Sequence, residues 1–176
     1  RMRRLTDMLL QFARFDAGQE EMVRQPVDFT ELVEGCVERL KPLAEGQHLN
    51  LVLNLQPTEV LGDTLRLAQV VINLVQNAIQ YTPAGGSVSV MVESTSAGTH
   101  LKVADTGIGI SATDLPRVFE RFFRADRARS GGEGRTGLGL AISQAIIQAH
   151  GGRIAVESTF GVGTCFTVHL PRAETI

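Results

Sequence analysis

The stretch DTLRLAQVVINLVQNAIQYTPAGGSVSVMVESTSAGTHLKVAD, residues 63–105, decides the fold class. Its first part repeats apolar residues at spacings of three and four, starts at Asp63 and stops before Pro83, so it predicts a helix over residues 63–81. The runs SVSVMVES and THLKVAD alternate apolar and polar residues, which predicts two strands joined by a short turn. A helix followed by neighbouring antiparallel strands indicates an α+β fold and argues against a doubly wound parallel sheet.

The flanking sequence extends this pattern in both directions. Upstream, EMVRQPVDF predicts a short edge strand interrupted by Pro26, and Asp28 with Glu31 forms a capping box that predicts the start of a helix ending near Gly46. LNLVLNL then predicts a half-buried strand. Downstream, GLGLAISQAIIQAH predicts a helix ended by two glycines, and RIAVEST and TCFTVHL predict a closing antiparallel hairpin. Together these elements predict a sandwich with the helices on one face of a sheet.

Two segments fall outside this regular pattern. Residues 110–136 hold six arginines and several glycines and predict a long loop with one short helix around residues 114–120, and a loop of this length usually has a function. Residues 1–17 predict an amphipathic helix. Its stripe of leucine, methionine and phenylalanine fits packing on its own domain or one half of a coiled-coil or bundle seam.

Composition narrows the classes of partner. The net charge of -2 and the pI of about 6.1 give no electrostatic footprint for nucleic acid. The two cysteines, Cys36 and Cys165, do not form a disulfide framework and favour a reducing, intracellular setting. No apolar run approaches the length of a membrane span, so we expect a cytoplasmic domain whose parent protein can still be anchored in the plasma membrane by upstream segments.

Three polar or glycine-rich motifs are candidates for chemistry. Asn73 and Asn77 lie one turn apart on the predicted helix, where they are either two solvated amides or neutral oxygen ligands for Mg²⁺. DTGIGI, residues 105–110, follows a strand and is either a turn or a place where backbone and the Asp105 carboxylate approach a flat ligand. TGLGL, residues 136–140, opens a helix with two glycines in its first turn and is either a softened helix start or a phosphate site.

In combination these motifs resemble a known family. The set NLVQNAIQYTP, DTGIGI, VFERFFRAD, GRTGLGLAIS and STFGVGTCFTVHLP is similar to the N, G1, F, G2 and final glycine boxes in the catalytic domain of sensor histidine kinases. Those domains belong to the wider ATPase group that includes gyrase, the Hsp90 chaperones and MutL. The resemblance implies a Bergerat-type two-layer α/β sandwich with a mixed, mostly antiparallel sheet and a mobile ATP lid.

The resemblance also implies domain boundaries. Residues 28–176 would form the catalytic ATP-binding domain, and residues 20–27 a linker with an edge strand. LLQFARFDAG resembles the end of the second helix of the dimerisation and phosphoacceptor hairpin, so residues 1–19 would be the last part of that helix. The full-length protein would then be a homodimer.

The resemblance implies a site for ATP and Mg²⁺. Its nucleotide-binding residues would be Asn73, Asn77, Gln80, Tyr81, Asp105, Gly107, Gly109, Ile110, Arg124, Arg135, Thr136, Gly137, Leu138, Gly139, Leu140 and Thr164. Asn77, assisted by Asn73, would hold the metal, and Asp105 would read the adenine amino group. Asn73 and Arg124 would be catalytic, with Arg124 reaching the γ-phosphate because its charge is permanent and its fork matches phosphate oxygens.

The remaining residues would shape this site. Gly107 and Gly109 would form the base pocket, which Tyr81 and Ile110 would line, and residues 137–140 would lie along the phosphates. Residues 111–136 would form the lid, anchored by Phe119 and Phe122.

Two positions depart from the family pattern. Gln80 stands where a lysine or arginine is usual, so one cation expected near the phosphates is missing. Arg135 stands where a glycine is common, and it would either stiffen the lid hinge or supply that charge; Arg124 and Arg127 are the other candidates for supplying it.

The resemblance implies transfer of the γ-phosphoryl group to a histidine outside this chain. Gyrase-type relatives place a glutamate base where this chain has Asn73, and an amide cannot accept a proton at neutral pH. Each of the four histidines lacks the acidic residue that follows the family's acceptor, so we expect the acceptor on the upstream hairpin and a response regulator as partner. The alternatives are a nucleotide-responsive module without transferase activity and a hydrolysing ATPase.

Overall fold

A computed structural model describes residues 22–124 and 137–172 of the chain. Three helices lie against one face of a five-stranded sheet in these ranges, which confirms the predicted α+β sandwich. The elements in chain order are β1 Gln25–Asp28, α1 Phe29–Gly46, β2 Asn50–Leu55, β3 Glu59–Gly62, α2 Thr64–Tyr81, β4 Ser87–Thr95, β5 Gly98–Asp105, a 3₁₀ turn Leu115–Arg117, α3 Gly139–Ala149, β6 Arg153–Thr159 and β7 Gly163–Pro171.

The main sheet has the strand order β2-β4-β5-β7-β6. Only β2 and β4 run parallel, and every other neighbouring pair is antiparallel, so the sheet is mixed and mostly antiparallel. In β4 the side chains of Val88, Val90 and Val92 are fully buried while the residues between them are partly exposed. This period of two places one apolar face of the sheet against the helices.

Helices α1 and α2 begin where their capping residues predict. The Asp28 carboxylate accepts a hydrogen bond from the Glu31 backbone N–H at 2.9 Å and starts α1. The Asp63 carboxylate accepts from the backbone N–H groups of Leu65 and Arg66 and starts α2. The predicted starts of both helices are therefore confirmed.

Two local predictions need correction. The short strand β3 was not predicted, because four residues carry too little alternation to be recognised, yet it pairs with β1 in a separate two-stranded sheet. The short helix predicted around residues 114–120 is a single 3₁₀ turn over Leu115–Arg117, with Pro116 in its first turn. Within the described ranges, no helix is both long enough and apolar enough to cross a membrane.

Candidate nucleotide site

Helix α2 presents its two asparagines along one edge. Its apolar stripe is buried, while Asn73 and Asn77 lie beside that stripe and are half-buried. The Asn73 amide nitrogen donates to the Gly139 carbonyl at 3.2 Å and to the Ser143 hydroxyl at 3.3 Å. Since both bonds use the nitrogen, the Asn73 amide oxygen is the atom that remains for a ligand.

The start of α3 therefore lies directly against α2. Helix α3 begins at Gly139, and no side chain of the described residues caps it, so its first-turn N–H groups are candidate donors to a ligand. Gly137 precedes the helix with φ of 68°, and not inside the first turn as predicted. A Cβ at Gly137 would come within 2.8 Å of the Phe122 backbone, because the lid segment crosses there. Leu138 is buried and fixes this turn in the core, and Leu140 packs against the core from the first turn.

Asp105 ends β5 with one carboxylate oxygen already bonded. Its Oδ1 accepts from the Gly107 backbone N–H at 2.8 Å and from the Thr164 backbone N–H at 3.2 Å. Burial raises the pKa of Asp105, and the two backbone hydrogen bonds partly oppose that rise. The second oxygen, Oδ2, has no partner among the described residues and is the atom that can accept a hydrogen bond from an exocyclic amine.

The glycine loop after Asp105 contacts the last turn of α2. The Ile108 backbone N–H donates to the Tyr81 carbonyl at 3.0 Å, and a Cβ at Gly107 would collide with that same carbonyl. Tyr81, Asn77 and Asn73 lie at successive spacings of four, so they follow one edge of the helix. Asn77 thus lies between a residue that contacts the glycine loop and a residue that contacts the start of α3.

The turn between β6 and β7 closes the glycine loop from the other side. Gly109 has φ of 67° and contacts the Thr159 carbonyl so closely that a Cβ would not fit. The Ile110 backbone N–H donates to the Ser158 hydroxyl at 2.8 Å, and that hydroxyl lies 2.9 Å from the Thr164 hydroxyl. These contacts place the final glycine box beside the DTGIGI loop.

The lid segment is attached to the domain through Phe119. This side chain packs against the core and makes an edge-to-face contact with Phe166, with ring centroids 6.3 Å apart. The prediction that Phe122 also anchors the lid is wrong, because its side chain is 54% exposed and only its backbone N–H bonds to Gly137. Arg124 is half-buried at the end of the described lid residues, while Arg135 and Thr136 lie outside the described residues.

Gln80 and His150 are two polar groups with unusual surroundings. The Gln80 side-chain oxygen is buried with no hydrogen-bond partner among the described residues. His150 is 3% exposed, and both of its ring nitrogens are hydrogen-bonded. Its place directly before Gly151 and Gly152 signals only the end of the helix, because its partner Asp63 lies 87 positions away.

A family model covers most of this architecture. The model described as histidine kinase-, DNA gyrase B- and HSP90-like ATPase matches residues 62–174. The chain belongs to this ATPase family. All the boxes on which the resemblance rested lie inside the matched range, so the resemblance to the catalytic domain of sensor histidine kinases is confirmed.

Curated relatives of this ATPase domain are sensor kinases. It is 37% identical over 178 residues to the sensor histidine kinase WalK of Bacillus subtilis, a match covering 99% of the chain and 29% of the relative. It is 39% identical over 173 residues to the sensor-like histidine kinase SenX3 of Mycolicibacterium smegmatis, covering 96% of the chain and 45% of the relative. The chain therefore spans less than half the length of these relatives.

Solved structures share the fold of the ATPase domain. Full-length ShkA, solved in complex with AMPPNP, has a TM-score of 0.85 and 31% identity, covering 98% of the chain and 36% of ShkA. The mycobacterial sensor histidine kinase MprB has a TM-score of 0.75 and 33% identity, covering 84% of the chain and 97% of the MprB chain. These likenesses confirm the two-layer sandwich.

Proposed function

We propose that this domain binds ATP with Mg²⁺ between the edge of α2, the DTGIGI loop and the start of α3, and transfers the γ-phosphoryl group to a histidine on an upstream helical hairpin. The observation that carries the proposal is the convergence of three motifs on one helix edge. Asn73 contacts Gly139, and Tyr81 contacts the loop that follows Asp105. The relatives named above are sensor histidine kinases, and ShkA was solved with an ATP analogue.

The free atoms of the site suit the parts of this nucleotide. The Asp105 Oδ2 atom is an acceptor for the adenine amino group, and Gly107 and Gly109 let the loop after it pack closely on the backbone of Tyr81 and Thr159. The uncapped start of α3 offers N–H groups and a positive dipole end to phosphates.

The amide oxygens of Asn73 and Asn77 suit Mg²⁺. This ion takes one or two protein oxygens, completes its coordination with water and phosphate, and supplies charge neutralisation to the transferring phosphoryl group. The described residues contain no group of three or more histidine, cysteine, aspartate or glutamate side chains that could hold a metal. The asparagine oxygens are therefore the candidate protein ligands on this helix edge.

The chemistry expected from the chain itself is positioning. An amide at Asn73 cannot remove a proton from water, so this side chain does not supply fast hydrolysis. A neutral imidazole needs no base, because its lone pair attacks the phosphorus in line while the domain orients and neutralises the phosphate. Arg124 would supply the positive charge at the γ-phosphate.

Three of the chain's four histidines lie away from this site or are already bonded. His100 and His169 form an edge-to-face pair on β5 and β7, with ring centroids 4.3 Å apart. His100 is five residues, about 16 Å of strand, from Asp105. His150 is buried with both nitrogens bonded. The accepting histidine is therefore proposed on the upstream hairpin. The proposal also includes a response regulator as the next acceptor, a homodimeric full-length protein, and the domain boundaries predicted above.

The test combines the chain with its upstream hairpin and ATP labelled at the γ-phosphate. We expect label on the hairpin that is stable in base and lost in acid. Label-free hairpin with release of inorganic phosphate would instead indicate a hydrolase, and nucleotide binding with neither product would indicate a binding module.

A matched pair of variants tests the metal role. Asn77→Ala should abolish Mg²⁺-dependent nucleotide binding, measured by calorimetry with and without the metal. The control is Asn54→Ala on the exposed edge strand β2, which should bind like the parent. Unchanged affinity of Asn77→Ala would remove Asn77 from the site.

A further inference from the structure

His150 joins the end of α3 to the start of α2. Its Nε2 atom lies 3.0 Å from the Asp63 backbone nitrogen, and its Nδ1 atom lies 2.7 Å from the Ile146 carbonyl. A backbone N–H can only donate, so Nε2 accepts and carries no proton. The proton is on Nδ1, which donates to the carbonyl, and the ring is therefore neutral.

Among the described residues, this contact and one made by Asn73 form two polar clamps between the same helices. The first is Asn73, which bonds to Gly139 and Ser143 near the start of α3. The second is His150, which bonds to Asp63 at the opposite end of α3. Asp63 and Asn73 are ten residues apart, about 15 Å along the helix, so the two clamps fix α2 against α3 over most of the length of α3.

The same corner holds the chain that enters from upstream. The Val23 backbone N–H donates to the Asp63 Oδ2 atom at 3.2 Å, and the Arg24 guanidinium donates to the Ala149 carbonyl at 2.6 Å. The Gln25 side-chain amide donates to the Thr64 hydroxyl at 3.2 Å. Three successive residues are thus bonded to the start of α2 or the end of α3.

We propose that neutral His150 is a positioning residue that locks residues 23–25 and the start of α2 to the end of α3, and that protonation of its ring opens this lock. A proton on Nε2 would place an N–H group against the Asp63 N–H, and the bond between them would be lost. The N-cap residue would then be free to shift, together with the carboxylate that holds Val23.

The groups around the ring set the direction of its pKa shift. Burial, the largest effect, lowers the pKa of His150, and Arg24 on the incoming segment lowers it further. The hydrogen bond to the Ile146 carbonyl and the Asp63 carboxylate on α2 both oppose the fall. Gly62 of β3 packs against the ring and carries no charge.

Lowering the pH should weaken the lock. A histidine pKa that is lower in the locked state means that the lock has full strength above the ordinary pKa of about 6.5 and is lost as the pH falls through the lowered value. The locked segment connects this domain to the helix predicted from the sequence of residues 1–17. Given the proposed phosphotransfer, opening the lock would change how the domain is held against its acceptor.

The experiment is a pH titration of the chain followed by amide NMR spectra and hydrogen exchange. We expect the Asp63 and Val23 amides to titrate together with the His150 ring, with a midpoint below about pH 6.5. Their protection against exchange, corrected for the intrinsic rate, should fall at least about tenfold through that range. No nucleotide is needed, so failure of the proposed kinase function would leave this test intact.

Two substitutions separate protonation from packing. In His150→Gln the side-chain oxygen can still accept from Asp63 but cannot titrate, so both amides should stay protected at low pH. His169→Gln, which removes a distant histidine of the sheet, should titrate like the parent. Amides that do not titrate in the parent chain, or that titrate equally in His150→Gln, would overturn the proposal.

A second readout connects the lock to catalysis in the full-length protein. As the pH is lowered through the His150 midpoint found by NMR, the rate of hairpin phosphorylation should fall further in the parent than in His150→Gln, with the KM for ATP similar in the two. If the parent and His150→Gln have equal pH profiles of phosphorylation while the amides of the parent still titrate, the lock has only a structural role. That result would refute the role of His150 as a positioning residue.

Discussion

Asp105→Asn is the substitution that most directly tests how the proposed site recognises adenine. The change keeps Oδ1, which accepts from the backbone N–H groups of Gly107 and Thr164 at 2.8 and 3.2 Å. It replaces Oδ2 with an NH₂ group, so an acceptor of the adenine amine becomes a donor that faces another donor. The loop geometry should therefore persist while recognition of adenine is lost.

The expected magnitude follows from the atoms removed. A hydrogen bond to a charged group contributes about 1.5–3 kcal/mol, which corresponds to about 10- to 150-fold weaker ATP binding. ITP carries a carbonyl where ATP carries the amine, and this carbonyl can accept from the new amide. Asp105→Asn should therefore bind ATP more weakly and ITP more tightly than the parent. The ratio of the two affinities should change by a larger factor than the ATP affinity itself.

Asp105→Asn should not lower the stability of the fold. Because the pKa of Asp105 is raised in the folded state, its ionised form destabilises the fold at neutral pH, and this loss is relieved as the pH falls. A neutral asparagine removes that cost, so the free energy of unfolding in urea should not decrease.

Calorimetry with Mg²⁺-ATP and Mg²⁺-ITP, together with urea unfolding, measures all three quantities. The control is Asp114→Asn in the lid segment, which removes the same charge at a residue whose carboxylate accepts from the Ser111 hydroxyl and which is not among the proposed nucleotide contacts. A folded Asp105→Asn chain that binds ATP as tightly as the control would refute adenine recognition by this carboxylate.

Three further predictions concern the fold and the neighbouring groups. Gly109→Ala should lower the free energy of unfolding in urea by at least about 1 kcal/mol more than Gly161→Ala does. Both glycines have positive φ, but of the two Gly109 lacks room for a Cβ. Equal losses of unfolding free energy in the two variants would contradict this. Leu74→Ala in the buried stripe of α2 should cost about 2–5 kcal/mol of unfolding free energy, whereas Leu65→Ala, 81% exposed on the same helix, should cost less than about 0.5 kcal/mol. Gln80→Met removes a buried oxygen without a described partner, so thermal stability should hold or rise while ATP affinity falls; a fall in stability would show that the oxygen is satisfied.

Local sequence patterns were sufficient to predict a helix or strand wherever one physical rule dominated. The apolar period of α2, the alternation of β4 and β5, and the caps Asp28 and Asp63 predicted their elements because burial and capping act within a few residues. The order of five motifs was specific enough to indicate the ATPase family, which the family model confirms.

Contacts between distant segments required the tertiary structure. The sequence placed Asn73 and Gly139 in separate motifs, and only the packing of α2 on α3 shows that their groups are hydrogen-bonded. The resemblance implied Phe122 as an anchor of the lid, but its side chain is exposed, whereas Phe119 packs against the core.

His150 shows most clearly what the sequence by itself left undetermined. Its position before two glycines determined only that a helix ends there. Whether its ring is solvated or buried depends on residues 87 positions away, because the acceptor role of Nε2 is set by the backbone N–H of Asp63. The sequence determined the elements and the family through local burial and spacing, whereas the tertiary structure decided the partners of the polar groups, since hydrogen bonds join atoms that are close in space and distant along the chain.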